Sequence, residues 1–242
     1  MQPLMRPLLA LAASVALTIP LLVASPAQAA QYNPLSERGL ANSSLGAADV
    51  PRWMSRGITP VARQTFIKGS LAGAPPLCVD QSGEAVRGRQ ARQEMSSTVA
   101  TRTGKEIGSY IYQYRTREAA VRAWSALNSL AAQCEGRVEV DVADDGMATR
   151  VVINTEVNQT RTLFGTSGLT LFLDYDGVVE AFDTEFAWFG DSYVSYYLAG
   201  TSIVGVVFSS GEGTRGVGRV TRGFVDTMSI VIAQRLERRS LR

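Results

Sequence analysis

"YIYQYRTREAAVRAWSALNSLAAQCEG", residues 110–136, changes its hydrophobic period halfway along. Upstream, "EIGSYIYQYR" (106–115) alternates, as does "EMSSTVATRT" (94–103), and Gly104-Lys105 joins the two, so a β-hairpin is expected. From Thr116, an N-cap residue, the spacing becomes helical. Ala120, Ala123, Trp124, Leu127, Leu130, Ala131 and Cys134 then share one apolar face, and Glu135-Gly136 supplies the stop. A strand running directly into a helix with an apolar face describes a sheet covered by that helix. Cys134 thereby points into the core.

The chain holds one other cysteine, Cys78, and compartment decides what the pair does. Residues 1–29 carry a single charge at Arg6, an apolar run from Leu8 to Ala24 and an A-x-A ending at Ala27-Gln28-Ala29. These are the parts of a secretory signal peptide, with cleavage expected after Ala29. The alternative is a retained anchor, since the run approaches the lower length for spanning a bilayer, although Pro20 interrupts it. Outside the cytosol, two cysteines in a globular chain read as a disulfide. A sulfur on the buried side of a helix end suits a Cys78–Cys134 bridge and is poorly placed to attack a substrate. A free buried thiol is the other reading.

Composition removes several kinds of chemistry. The 242 residues contain no histidine, so Ser-His-Asp and Cys-His machinery and imidazole metal ligands are excluded. Once the cysteines are bridged, no structural zinc ligands remain, and no cofactor is expected. Lys68 and Lys105 are the two lysines. With 24 basic and 22 acidic residues, the net charge of +2 gives no general drive toward nucleic acid.

The segment 30–59, "AQYNPLSERGLANSSLGAADVPRWMSRG" and the residues just after it, lacks sustained periodicity and reads as a flexible lead-in that Trp53 and Met54 could dock. Residues 60–242 read as one α+β domain. "RVEVDVA" (137–143) and "ATRVVINTEV" (148–157) flank a turn at Gly146. "GLTLFLDYDGVVEAF" (168–182) reads as a hairpin folded at Asp176-Gly177, and residues 186–211 as further strands turning near Gly190-Asp191 and Gly200. Val217, Val220, Thr221, Phe224, Met228, Val231 and Arg235 fall at helical spacing in a closing helix. The expected fold is an antiparallel β-sheet with two main helices packed on one face and one disulfide.

The order of these pieces, from the first cysteine through the aromatic strand and Ala-rich helix of 110–136 to several hairpins and a final amphipathic helix, resembles the PknH-like extracellular sensor domain. That domain faces the ligand in some actinobacterial receptor serine/threonine kinases and also occurs in secreted proteins and lipoproteins. The resemblance covers residues from about 60 to 238. It implies a cleft between sheet and helices that binds an extracellular small molecule without catalysis. Two departures stand out: this sequence carries no kinase domain or further transmembrane segment, and it lacks the second cysteine pair of many members.

Candidate chemistry is sparse. "DYDG" (174–177) opens like a calcium loop, but Val178 and Val179 stand where a ligand and a glycine are required, so a hairpin turn explains it. In "FDTEFAW", alternation sends Asp183 and Glu185 to one face, about 7 Å apart, a spacing that glycosidase carboxylates also use and that a solvated sheet face also produces. They are the candidate ligand-binding residues. Trp188, Phe189, Tyr193, Tyr196 and Tyr197 form an aromatic cluster that reads as packing or as a glycan platform. Arg235, Arg238, Arg239 and Arg242 complement the last helix's dipole or touch anionic envelope polymers. The expected function is capture of an extracellular or cell-envelope small molecule by a secreted, non-catalytic domain. A carboxylate-based envelope glycan hydrolase and a structural envelope protein docking a partner are the competing readings.

Overall fold

The hairpin and helix of 94–136 form as their periods require. In the computed structural model, which describes residues 32–55, 61–69, 75–79, 85–100, 105–144, 147–161, 167–181, 184–210 and 213–241, β4 (Gln93–Ala100) pairs antiparallel with β5 (Glu106–Gln113). Helix α3 (Arg117–Ala131) follows, its Thr116 hydroxyl accepting from Ala119 N, and Ala120, Ala123, Leu127 and Ala131 are its buried residues. The signal-peptide reading of residues 1–29 lies outside the described residues. Those described belong to one unit beginning at Tyr32.

The other strands are β1 (Ala62–Lys68), β2 (Pro76–Val79), β3 (Ala85–Arg87), β6 (Gly136–Asp144), β7 (Met147–Arg161), β8 (Ser167–Ala181), β9 (Thr184–Ala199) and β10 (Ser202–Ser209). Among the described residues eight of the ten strands make one antiparallel sheet in the order β1-β4-β5-β10-β9-β8-β7-β6, and β2 and β3 pair separately. The long closing helix is α4 (Arg219–Ser240); α1 (Glu37–Ala41) and α2 (Arg52–Ser55) are short. Cys78 in β2 is bonded to Cys134 past the end of α3, with Cα atoms 5.7 Å apart. The α+β antiparallel sheet with packed helices and one disulfide is therefore present.

The helices are distributed differently from a single shared face. One buried cluster joins α4 and α1 residues to Ile107, Ile111, Tyr193, Tyr197, Val204, Val206 and Phe208. The other joins α3 and β2 residues to Tyr112, Leu169, Leu171, Val194, Tyr196 and Ile203. Successive residues of β9 and β10 alternate between the two clusters, so α3 and α4 cover opposite faces. A strand covered on both sides loses the apolar-polar alternation. The near-continuous "SIVGVVFS" of β10 has that character, with six of its eight residues buried.

Residues 32–55, expected as a flexible lead-in, are instead folded onto the α4 side. Leu40 and Leu45 are fully buried, and Met54 joins the same cluster. Apolar side chains spaced too irregularly for a periodicity signal still find pockets, and backbone partners fix them: Leu45 N donates to Ser109 Oγ at 2.9 Å and Ser97 Oγ donates to Leu45 O at 2.6 Å. Trp53 remains half-exposed, edge-on to Phe224 at 6.0 Å.

Two expected turns are absent. β8 runs straight through Asp176-Gly177, where Gly177 pairs with Val151 on one side and Trp188 on the other, and β9 runs straight through Gly190-Asp191. A turn at Asp-Gly would give up ladder pairing on both flanks, and the neighbouring strands outweigh the local preference. Gly190 serves another purpose. A Cβ there would lie 2.5 Å from the Tyr175 ring on the paired strand; Gly168 meets Tyr197 and Gly205 meets Tyr196 in the same way. Glycine in these strands makes room for a cross-strand ring. The turn at Gly200 is real, with φ +56°, between β9 and β10.

Gly205→Ala would place its methyl 2.4 Å from Cε1 of Tyr196, a buried ring whose hydroxyl donates to Pro76 O. Overpacking of this sort costs about 1–3 kcal/mol. Urea unfolding of the variant should show that loss, and an unchanged midpoint would contradict the ring-over-glycine account.

In α4 the buried row is Thr221, Val225, Met228, Ser229, Ile232, Ala233, Leu236 and Ser240, while Val220 is 73% exposed. Of the expected stripe, Val217, Thr221 and Met228 are buried and Phe224 and Val231 pack partly against the core, whereas Val220 faces solvent and Val225, Ile232 and Leu236 complete the buried row. Apolar residues surround much of "SIVIA", so periodicity alone leaves the facing side undetermined.

Candidate functional site

The Tyr114–Thr116 corner, where β5 hands over to α3, shapes an open groove. Tyr114 N donates to Thr201 O at 2.9 Å, extending the sheet by one residue, and its hydroxyl donates to Arg89 O at 3.0 Å. Arg92 N donates to Gln113 O at 2.8 Å, and Gly69 N donates to Arg92 O at 3.1 Å. These bonds hold the 88–92 segment beside the start of α3. The disulfide fixes the strand pair just before it, since Gly88 N donates to Pro75 O next to β2.

The resulting groove has a volume of about 420 Å³, within the range of small-molecule sites. Its walls are Gly69, Gln90, Ala91, Arg92, Tyr114, Arg115 and Ala119. Arg92 and Arg115 are exposed, whereas Tyr114 is 4% exposed and burial pushes its hydroxyl pKa upward. The tyrosine therefore offers the groove a neutral ring, and the charge there is positive. Tyr114 and Arg115 lie inside the sequence stretch that signals the fold. Arg92, with Gln90 and Ala91, lies in "RGRQARQ" (87–93), an arginine-rich aperiodic run that was the available signal and was missed.

The candidate residues Asp183 and Glu185 belong elsewhere. Asp183 lies outside the described residues. The backbone of Glu185 pairs with Glu180 at the far end of the β8–β9 ladder, roughly 45 Å along β9 from Ala199, beyond which Thr201 meets Tyr114. Asp174 and Asp176 sit in mid-strand and bracket Arg215, whose Nε donates to Asp174 at 3.1 Å and Nη2 to Asp176 at 2.8 Å. Tyr193, Tyr196 and Tyr197 are buried as packing, while Phe189 stays exposed beneath Arg215. Arg235 donates to both oxygens of Asp49, at 2.6 and 2.9 Å, tying α4 to the N-terminal segment; Arg238 and Arg239 are exposed and Arg242 lies outside the described residues.

A second polar cluster sits on the α4 side, where Arg222 lies 4.0 Å over Phe172 and Tyr193 donates its hydroxyl to Asp226 at 3.1 Å. Burial raises the Asp226 pKa above 3.8, against the opposing pull of Tyr193 and Arg222. Arg235 does the reverse to Asp49, holding it below that value. The two carboxyls therefore have opposite linkage. Folding favours protonated Asp226, so its contribution is greatest below pH 3.8 and is lost as pH rises through its raised native pKa. Asp49 contributes above pH 3.8 and loses that contribution as pH falls through its lowered native pKa. At neutral pH Asp226→Asn should leave stability equal or raise it by about a few tenths of a kcal/mol after solvent screening, while Asp49→Asn should lower it. Unfolding at pH 7 and pH 3 checks this, and matching signs for the two variants at pH 7 would refute it.

Among the described residues no group of three or more Cys, Asp or Glu is placed to hold a metal ion, and no helix is long and apolar enough to cross a membrane. The fold and groove define an α+β domain with a disulfide-anchored surface concavity. Compared with protein-family models and with curated proteins, the chain matches none.

Proposed function

We propose that this chain is an exported, non-catalytic binding domain that captures a small extracellular or cell-envelope molecule in the groove at the start of α3. The observation that carries this is the groove itself: an open concavity of about 420 Å³ whose rim is held by four backbone hydrogen bonds. The Cys78–Cys134 bond supports export, since such bonds persist in oxidising compartments. The lining favours binding over glycan hydrolysis, because general acid/base work needs a carboxylate pair and none of the described lining residues is a carboxylate. The resemblance to PknH-like sensor domains points the same way. Native mass spectrometry of the chain isolated from its own host tests the reading. A retained small-molecule mass is expected; a clean apo mass together with turnover of cell-wall glycan by the purified chain would overturn it.

A further inference from the structure

We propose that the ligand enters this groove through an oxyanion, a carboxylate or phosphate clamped between Arg92 and Arg115. This rests on the binding reading above and adds the charge and orientation of the ligand to it. Among the described residues the charged lining consists of two arginines and no carboxylate. Neither guanidinium makes an ion pair among the described residues. Among the described residues ion pairs hold Arg137, Arg150, Arg215 and Arg235, and other exposed arginines such as Arg63 and Arg238 have none either, so what sets Arg92 and Arg115 apart is that both line one concavity. In a chain of nearly balanced charge, two unmatched guanidiniums on one concavity concentrate positive potential there.

The backbone also places them. Arg92 is fixed through both its N–H and its carbonyl, to Gln113 and Gly69. Arg115 stands between Tyr114, bonded to Thr201, and Thr116, the N-cap of α3. Both Cα positions are therefore set by extensions of regular structure, which lowers the ordering cost on binding. Planar guanidiniums suit bidentate recognition of carboxylate or phosphate. Ala91 and Ala119 leave the space open.

Titration calorimetry of the chain with inorganic phosphate and with succinate tests the clamp, alongside Arg92→Gln, Arg115→Gln and, as a control, the exposed strand residue Arg63→Gln. Saturable binding of at least one probe is expected, weakening as salt is added. Each groove variant should raise Kd about tenfold, the fold-change for losing one charge-assisted contact, and the control should not change it. Unaltered melting temperatures would show that the variants stay folded. Sedimentation with phosphatidylglycerol against phosphatidylcholine vesicles separates sources: arginine-dependent pelleting with the anionic vesicles alone assigns the oxyanion to a lipid headgroup, and its absence beside phosphate binding assigns it to a free molecule. Absence of probe binding, or equal affinity in all variants, overturns the proposal. If the host-isolated chain then retains a neutral molecule, the binding reading stands without its anionic clamp; if it retains nothing and turns over cell-wall glycan, both fail.

Discussion

Cys78→Ala combined with Cys134→Ala should lower the unfolding free energy by about 4 kcal/mol, the chain-entropy value for a loop closed over a sequence separation of 56 residues. Both cysteines are buried, at 7% and 3% exposure, so the variant also loses packing between β2 and the end of α3. The effect should be uneven across the molecule. β2 and β3 have four and three residues and, among the described residues, pair only with each other, and a two-stranded ribbon of that size is marginal without an anchor. Hydrogen exchange should show β2 and β3 losing protection well before the eight-stranded sheet, with residues 88–92 and groove binding following them. Loss of less than about 1 kcal/mol, with β2–β3 protection intact, would show that packing alone holds this corner.

Leu40→Ala should cost about 2–5 kcal/mol, the range for truncating a fully buried leucine. Leu40 sits in α1, whose Ser36 cap accepts from Gly39 N, and it joins a cluster with Ile107, Phe208 and Leu236. The size of this effect separates two descriptions of residues 32–55. A flexible lead-in would respond by less than about 0.5 kcal/mol, as surface positions do. A structural layer, pinned by Leu45 to Ser97 and Ser109 and by Asp49 to Arg235, would respond in full. Denaturant unfolding distinguishes the two, and a small shift would return the segment to the status of a spacer.

The groove was only partly visible in sequence. Tyr114 and Arg115 stand inside the stretch that announces the strand-to-helix change, and the Thr116 cap locates the helix end. Arg92 and Gln90 belong to a segment without period, and what makes them neighbours of Arg115 is the β4–β5 register, Gln93 opposite Gln113. The acidic pair drew attention because alternation places carboxylates on one face wherever it occurs. Alternation says nothing of where along a strand a concavity forms, and the groove formed at the other end of β9.

By itself the sequence determined the local periods: the β4–β5 hairpin, α3 from its Thr116 cap, the inward aim of Cys134, and the exclusion of imidazole chemistry. Each depends on nearest neighbours or on composition, which a linear chain states directly. Tertiary structure alone decided that Gly177 and Gly190 stay extended, that α3 and α4 take opposite faces, that α4 turns its Val225–Ile232 row inward, and that residues 32–55 complete a core. In these places two local outcomes were close in free energy. Ladder pairing on both flanks, or burial against residues distant in the chain, supplied the difference.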